Sequence, residues 1–294
     1  MIKSILAVSE GGPDAAMSFK LASRVAAEFG GAVDALHLPV GPAGGMVGGL
    51  AMSGEAMPLI MNLDDERLEE RGKESERAYK ETLALIKGST YTAAKTATLD
   101  SMVAMGRCSD ILVLGRPGAD PENVAPATVE AALYECARAV MIAPPEAGSG
   151  NFDTVVVAWN GSFQAARALE YALPFLIKAN KVTLLVAGGK PDDVGASYLS
   201  RNLARHGINA TIDAIDPGAV SGRARGRALL GYTNDKKTDL LVMGAYGRGQ
   251  VLSFLGLGGA TGKVISSCWA GRALIPRTSR HRPSTRPCLS VPGR

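Results

Sequence analysis

The sequence predicts an α/β protein made of two copies of one parallel-sheet domain. Three observations lead there. The first is an internal repeat. Residues 4–9 (SILAVS) resemble 154–159 (TVVVAW), and 110–118 (DILVLGRPG) resemble 239–247 (DLLVMGAYG), each pair holding the same place in its half of the chain. A repeat this long is not a solenoid unit; it is a duplicated domain. The second is that continuous apolar runs alternate with helical patterns, the signature of a parallel sheet covered on both faces. The third is a Pro/Gly-rich stretch, PPEAGSGN at 144–151, which punctuates the chain between the copies.

The second copy is the clearer. Residues 155–159 form an uninterrupted apolar run, the first strand. Ala165, Leu169, Ala172, Leu173 and Leu176 then recur at helical spacing. Residues 182–187 are a second strand. Residues 192–206 read as a helix weakened by Gly195, 208–215 as a loosely alternating third strand, 221–232 as a helix and 240–243 as a fourth strand. The first copy follows the same plan with two departures. Ser4 to Asp110 spans 106 residues, whereas Thr154 to Asp239 spans 85, and much of the excess is a Gly/Met-rich insertion at 39–58. A charged helix, about 59–87, follows it, with supporting pairs Glu69/Lys73 and Glu76/Lys80. The third strand is hard to find here; 91–99 is the candidate.

The chain has 294 residues, 46% of them hydrophobic, enough for a sizeable core. Its net charge of +4 misleads. From Trp269 onward there are six Arg and no acidic residue, and setting these aside leaves 26 Lys+Arg against 28 Asp+Glu, a net of −2. A mildly acidic body and 5% aromatics argue against nucleic-acid binding. No apolar stretch approaches the roughly 18 residues of a membrane-spanning helix, so no membrane partner is expected. The four Cys lie far apart, at 108, 136, 268 and 288, without metal or redox spacing, and His37, His206 and His281 share no ligand pattern. No metal of the protein's own is expected, and a reduced, cytoplasmic setting is. The Arg/Pro/Ser-rich residues 279–294 are expected to be a disordered basic tail. Residues 273–275 (ALI) are the only apolar run there that could stand in for a final strand.

The motifs VVVAWNGS (155–162), the Ala-rich helix after it, and DLLVMGAYGRGQVLSFLGLGGAT (239–261) resemble those of tandem universal stress proteins, with two UspA-type domains in one chain. The resemblance runs from about 152 to 268. The first copy is a more degenerate one, carried mainly by DILVLGRPG. It implies two tandem Rossmann-like domains, each an open five-stranded parallel sheet with helices on both faces, paired about a pseudo-twofold axis. The divisions are 1–145, a linker at 146–151, and 152–278. Some members of that family bind ATP; most have no assigned enzymatic activity and act in stress survival.

In open parallel sheets ligands sit beyond the carboxyl ends of the strands. The loop 244–261 follows a strand and precedes a helix, and its glycines let backbone N–H groups approach phosphate oxygens. The resemblance makes Gly244, Gly247, Gly258, Gly259 and Thr261 the phosphate-facing positions, Asn160 the ribose and adenine position, and Val186 an adenine neighbour. The departures are plain. Ten residues rather than nine separate Gly247 from Gly258, Gly259 stands where Ser or Thr is wanted, and Asn160 replaces the usual Asp. A glycine turn serving only close packing, and an Asn-Gly turn with Ser162 as helix N-cap, account for the same residues. In the first copy Ser9-Glu10 replaces the Asp, and no third glycine follows Gly115 and Gly118. This copy is expected to be scaffold and pairing partner.

The reading is a cytoplasmic stress-response binding or signalling module, not an enzyme, with adenine nucleotide (ATP) as the expected ligand, weakly held, in the second domain. A weak ATP hydrolase or nucleotidyl-transfer enzyme using the same loop is one alternative, disfavoured because no general base or acidic metal pair accompanies the glycines. A structural pseudo-dimer that recruits partners is another. Intramolecular pairing of the domains is expected, and a homo-oligomer is compatible with it.

Overall fold

The structure, a computed structural model, describes residues 1–39, 57–93, 97–117, 124–146, 148, 150–219, 221–244 and 273–275. The Met-bearing insertion, most of the loop after Gly244 and the Arg-rich tail lie outside these residues.

The first half contains β1 (Ser4–Ser9), α1 (Pro13–Phe29), β2 (Ala32–His37), α2 (Met57–Thr82), β3 (Thr90–Thr92), α3 (Leu99–Cys108), β4 (Ile111–Leu114), α4 (Pro126–Glu135) and β5 (Ala139–Ile142). The second contains β6 (Thr154–Ala158), α5 (Phe163–Lys178), β7 (Lys181–Ala187), α6 (Ala196–Arg205), β8 (Ala210–Ile215), α7 (Gly222–Asp235), β9 (Leu240–Met243) and β10 (Ala273–Ile275). All ten strands form one sheet in the order β3-β2-β1-β4-β5-β10-β9-β6-β7-β8. Pairing is parallel throughout each half, and the halves meet at an antiparallel pair, Leu274 opposite Ile142.

The expected α/β architecture with helices on both faces is therefore present, and the two five-strand sets run into one another. Alternation along each strand divides the core. Ile5, Ala7, Val155, Val157, Leu240 and Val242 face α1, α2, α5 and α6, while Leu6, Val8, Val156, Leu241 and Met243 face α3, α4 and α7. Both faces are covered, so the central strands can be apolar at every position.

The repeat recurs as identical bonding. In the first half Asp110 accepts from the N–H of Lys3 (2.7 Å) and Ser4 (3.0 Å), and its own N–H donates to Ser4. In the second half Asp239 accepts from the Thr154 N–H at 2.8 Å and donates back to the Thr154 carbonyl. Each aspartate thus ties the start of its half's first strand to the start of the fourth.

Several elements differ from the sequence reading. Helix α2 begins at Met57, inside the span taken as insertion, and ends at Thr82 rather than near 87. The chain must turn there to enter β3, with Leu83 fully buried and Gly88 at φ 81°. The expected pairs Lys73–Glu69 (2.7 Å) and Lys80–Glu76 (2.6 Å) are formed on its exposed face. Strand β3 is three residues long and pairs only with β2, so it has no continuous apolar run to betray it. The helix expected over 192–206 is split by Gly195, at φ 70°, into a 3₁₀ turn (Pro191–Val194) and α6.

Candidate functional site

In each half the carboxyl ends of the first, second and fourth strands lie side by side, β2-β1-β4 in the first and β7-β6-β9 in the second. The residues described at the two sets of strand ends differ.

In the second half, β6 ends at Ala158 and the chain turns through Trp159, Asn160 and Gly161 into α5. Asn160 Oδ1 accepts from the Ser162 N–H (3.1 Å) and from its hydroxyl (2.6 Å), and Ser162 Oγ accepts from the Ala165 N–H at 3.3 Å, capping the helix. The Asn160 carbonyl oxygen is thus engaged in its own turn. Gly161 sits at φ 68°, with Val194 packed over it and the Trp159 indole N–H donating to the Val194 carbonyl at 2.8 Å. Val186 is buried near the end of β7. Gly188 and Gly189 follow, both in the left-handed region, which glycine adopts without penalty. A side chain on Gly188 would meet Pro217 at 3.5 Å and the Arg225 guanidinium at 4.0 Å, which places α7's exposed Arg225 beside this strand end.

Gly244 ends β9. A Cβ on it would lie 2.6 Å from the Ala165 backbone nitrogen and 2.7 Å from the Gln164 carbonyl carbon. Only glycine fits there, because the strand end presses on the first turn of α5. Of the sequence-predicted site residues, Asn160, Val186 and Gly244 are thus placed at the carboxyl ends of β6, β7 and β9. Gly247, Gly258, Gly259 and Thr261 lie outside the described residues. Gly188, Gly189 and Arg225 were not singled out as a site; a Gly-Gly pair directly after an apolar strand was the available signal.

In the first half the chain's own side chains bond across the corresponding strand ends. Glu10, only 4% exposed, accepts from the Ala125 N–H (2.9 Å) at the start of α4 and from the Thr128 hydroxyl one turn further on. Arg71, 6% exposed, reaches in from α2 and donates through Nε to the Glu10 carbonyl (2.8 Å) and through Nη2 to the Gly11 carbonyl (3.4 Å). Glu74 on the same helix accepts from the Gly12 N–H at 2.9 Å. His37, at the end of β2, is buried beside this group. Its burial and the Arg71 charge both push its pKa down.

Burial pushes the Glu10 carboxyl up, against the opposing pull of Thr128, the Ala125 N–H and Arg71. The folded chain therefore holds that proton more tightly than the unfolded chain. Stability linked to it is fully present below about pH 4.5 and is lost as pH rises through the raised folded pKa. Glu10→Gln removes the titration but can still accept from Ala125 and donate to Thr128. Its stability relative to wild type should rise with pH from 4.5 upward, by at most about 1.4 kcal/mol per pH unit. Urea unfolding of both proteins at several pH values measures it. The His37 and Arg71 contributions, present in both, cancel. A flat difference would mean that Glu10 does not titrate abnormally.

Among the described residues no group of three or more His, Cys, Asp or Glu is arranged to hold a metal ion, and no helix is long and apolar enough to cross a membrane.

No protein-family model matches the sequence, and no curated protein does either. Solved structures do. A universal stress protein from Archaeoglobus fulgidus DSM 4304 aligns over 93% of this chain and 95% of its own, with a TM-score of 0.60 at 16% identity. A universal stress protein in complex with cAMP aligns over 44% of this chain and 98% of its own (TM-score 0.34, 20% identity). Universal stress protein UspA from Lactobacillus plantarum aligns over 44% and 100% (TM-score 0.32, 14% identity). The chain has the universal stress protein fold. The Archaeoglobus protein shares it along nearly the whole of both chains.

Proposed function

We propose that the chain is a tandem universal stress protein of the cytoplasm, a stress-response binding and signalling module rather than an enzyme. Its domains are 1–145 and 152–278, joined by 146–151. It holds one adenine nucleotide, ATP, in the second domain, at the carboxyl ends of β6, β7 and β9 and on the loop 244–261. The observation that carries this reading is the contrast between the two sets of strand ends. Glu10 and Arg71 bond across the first, whereas Gly188 and Gly189 follow β7 in the second, with no heavy atom within 4 Å of a Cβ on Gly189. Backbone N–H groups near Gly247 and Gly259 would hold the phosphates, Thr261 would cap the following helix, and Arg225, beside Gly188, would supply a positive charge.

Binding is weak in this reading. Asn160 brings no charge and its oxygen is engaged by Ser162, Gly258 is displaced by one residue, and Gly259 lacks a hydroxyl. Two or three missing hydrogen bonds, each worth about 0.5–1.5 kcal/mol, lower affinity by about one to three powers of ten. Calorimetric titration of ATP should give one site per chain, abolished in Gly247→Val, whose branched side chain obstructs the phosphates. Equal binding by both proteins, or two sites, would refute the assignment. The hydrolase alternative predicts Mg²⁺-dependent phosphate release, which this reading does not.

The seam between the halves favours a second reading, a structural pseudo-dimer that recruits partners. Lys178 bonds to the Glu28 carbonyl (2.7 Å) and carboxylate (2.9 Å), and Arg24 to the Gly150 carbonyl (3.0 Å). No ATP binding at millimolar concentration would leave that reading in place.

A further inference from the structure

At the strand ends of the first half, the chain's own side chains bond where a ligand would. Helix α4 starts at Pro126, and its N-cap residue Ala125 offers no side-chain cap. Free N–H groups at such an end attract an anion or a carboxyl oxygen. Here the partner comes from a residue 115 positions away in sequence, at the end of β1. One Glu10 oxygen accepts from the Ala125 N–H and the other meets the Thr128 hydroxyl. The side chain thus bridges β1 and α4 with both oxygens engaged, as the terminal oxygens of a small bound oxyanion would be.

A second set of contacts holds it in place from the other side. The Arg71 guanidinium binds the Glu10 and Gly11 carbonyls, and Gly11, at φ 82°, brings the turn so close to α2 that a Cβ would sit 2.4 Å from Arg71 Cβ. Helix α2 therefore lies over the β1–α1 turn as a cover. The corresponding turn in the second half carries Asn160, whose side-chain oxygen accepts from the Ser162 N–H and hydroxyl within that turn.

We propose that Glu10 is an internal ligand: its carboxyl group takes the place of a small oxyanion at the start of α4 and keeps the first half closed without any bound molecule. The first half is then a self-liganded module. This does not depend on the nucleotide reading of the second half.

Removing the internal ligand should create a site that a free carboxylate can fill. In the full-length chain, Glu10→Ala leaves a polar space bounded by Ala125 N–H, Thr128 Oγ and the Arg71 side. Sodium formate, titrated to 0.1 M against equal ionic strength of sodium chloride, should raise the melting midpoint of Glu10→Ala by about 2 °C or more. Wild type and Glu10→Gln, whose space is filled, should show no formate-specific rise, and any response of the second half appears equally in all three. Inorganic phosphate tests whether the space also accepts a larger oxyanion. A Glu10→Ala response no greater than that of wild type would overturn the proposal. Should Glu10→Ala be unfolded at 25 °C, recovery of its circular dichroism on adding formate supports the proposal, and no recovery overturns it.

Discussion

Phe175→Ala is expected to lower unfolding free energy by about 3–5 kcal/mol, the cost of emptying a fully buried aromatic site. Phe175 is 1% exposed on α5 and lies edge-on to two rings. One is Phe29, from the end of α1 in the first half, at 4.8 Å, and the other is Phe152, just before β6, at 5.0 Å. Each such pair adds about 0.5–1.5 kcal/mol beyond area burial. The Arg24 guanidinium stacks on Phe152 at 4.6 Å, and the Lys178 ammonium stands 5.4 Å from the Phe29 ring. The cluster therefore joins the halves on one face of the sheet, and its loss should make the two halves unfold less cooperatively as well as earlier. Urea unfolding followed by circular dichroism measures both effects. Ile177→Ala, at a position 62% exposed on the same helix, is the control and should stay within about 0.5 kcal/mol. A Phe175→Ala loss below about 1 kcal/mol would mean that the site collapses readily or that the halves do not depend on it.

Gly11→Ala should cost about 2–5 kcal/mol, from two sources. The residue sits at φ 82°, where a side chain adds about 1–2 kcal/mol of backbone strain. The new Cβ would also lie 2.5 Å from the Arg71 carbonyl oxygen and 2.7 Å from its Cα. These are backbone atoms of a helix, so α2 itself has to shift, and overpacking of this kind costs about 1–3 kcal/mol. Gly189→Ala separates the two sources. Its φ is 88°, but nothing lies within 4 Å of the added Cβ, so only the backbone cost applies. Thermal melts of the two variants should differ by the overpacking cost, and hydrogen exchange in α2 should quicken only in Gly11→Ala. Equal losses in both variants would show that α2 moves aside freely.

What the sequence determined by itself is whatever is carried by local pattern. The repeat identified Ser4 with Thr154 and Asp110 with Asp239, and the same backbone-to-carboxylate bonds form at both places. Continuous apolar runs marked β6 and β9, and a run broken only by the buried Thr183 marked β7, because a strand covered on both faces has few polar positions. Ser162 and Ser221 could be read as helix starts because a hydroxyl satisfies a free N–H two or three residues on. Strand β3 escaped because an edge strand of three residues carries no such run. The charged stretch that became α2 read as a helix, and Glu66, Glu69 and Glu70 on it are exposed, but nothing in the pattern marked Arg71, beside them, as buried.

Only the tertiary structure decided the rest. That Arg71 turns inward depends on the Glu10 and Gly11 carbonyls, about 60 residues earlier, which accept from it. That Gly244 must be glycine depends on how closely β9 approaches α5, and that Glu10 closes its own half depends on where α4 begins. The halves meet where Leu274, in the run 273–275 expected as a final strand, pairs with Ile142 of β5; the antiparallel register between them is set by the tertiary structure. Periodicity and capping report on neighbours within a turn or two of chain. Contacts between residues 60 to 130 positions apart are set by which surfaces remain to be buried once those local elements have formed.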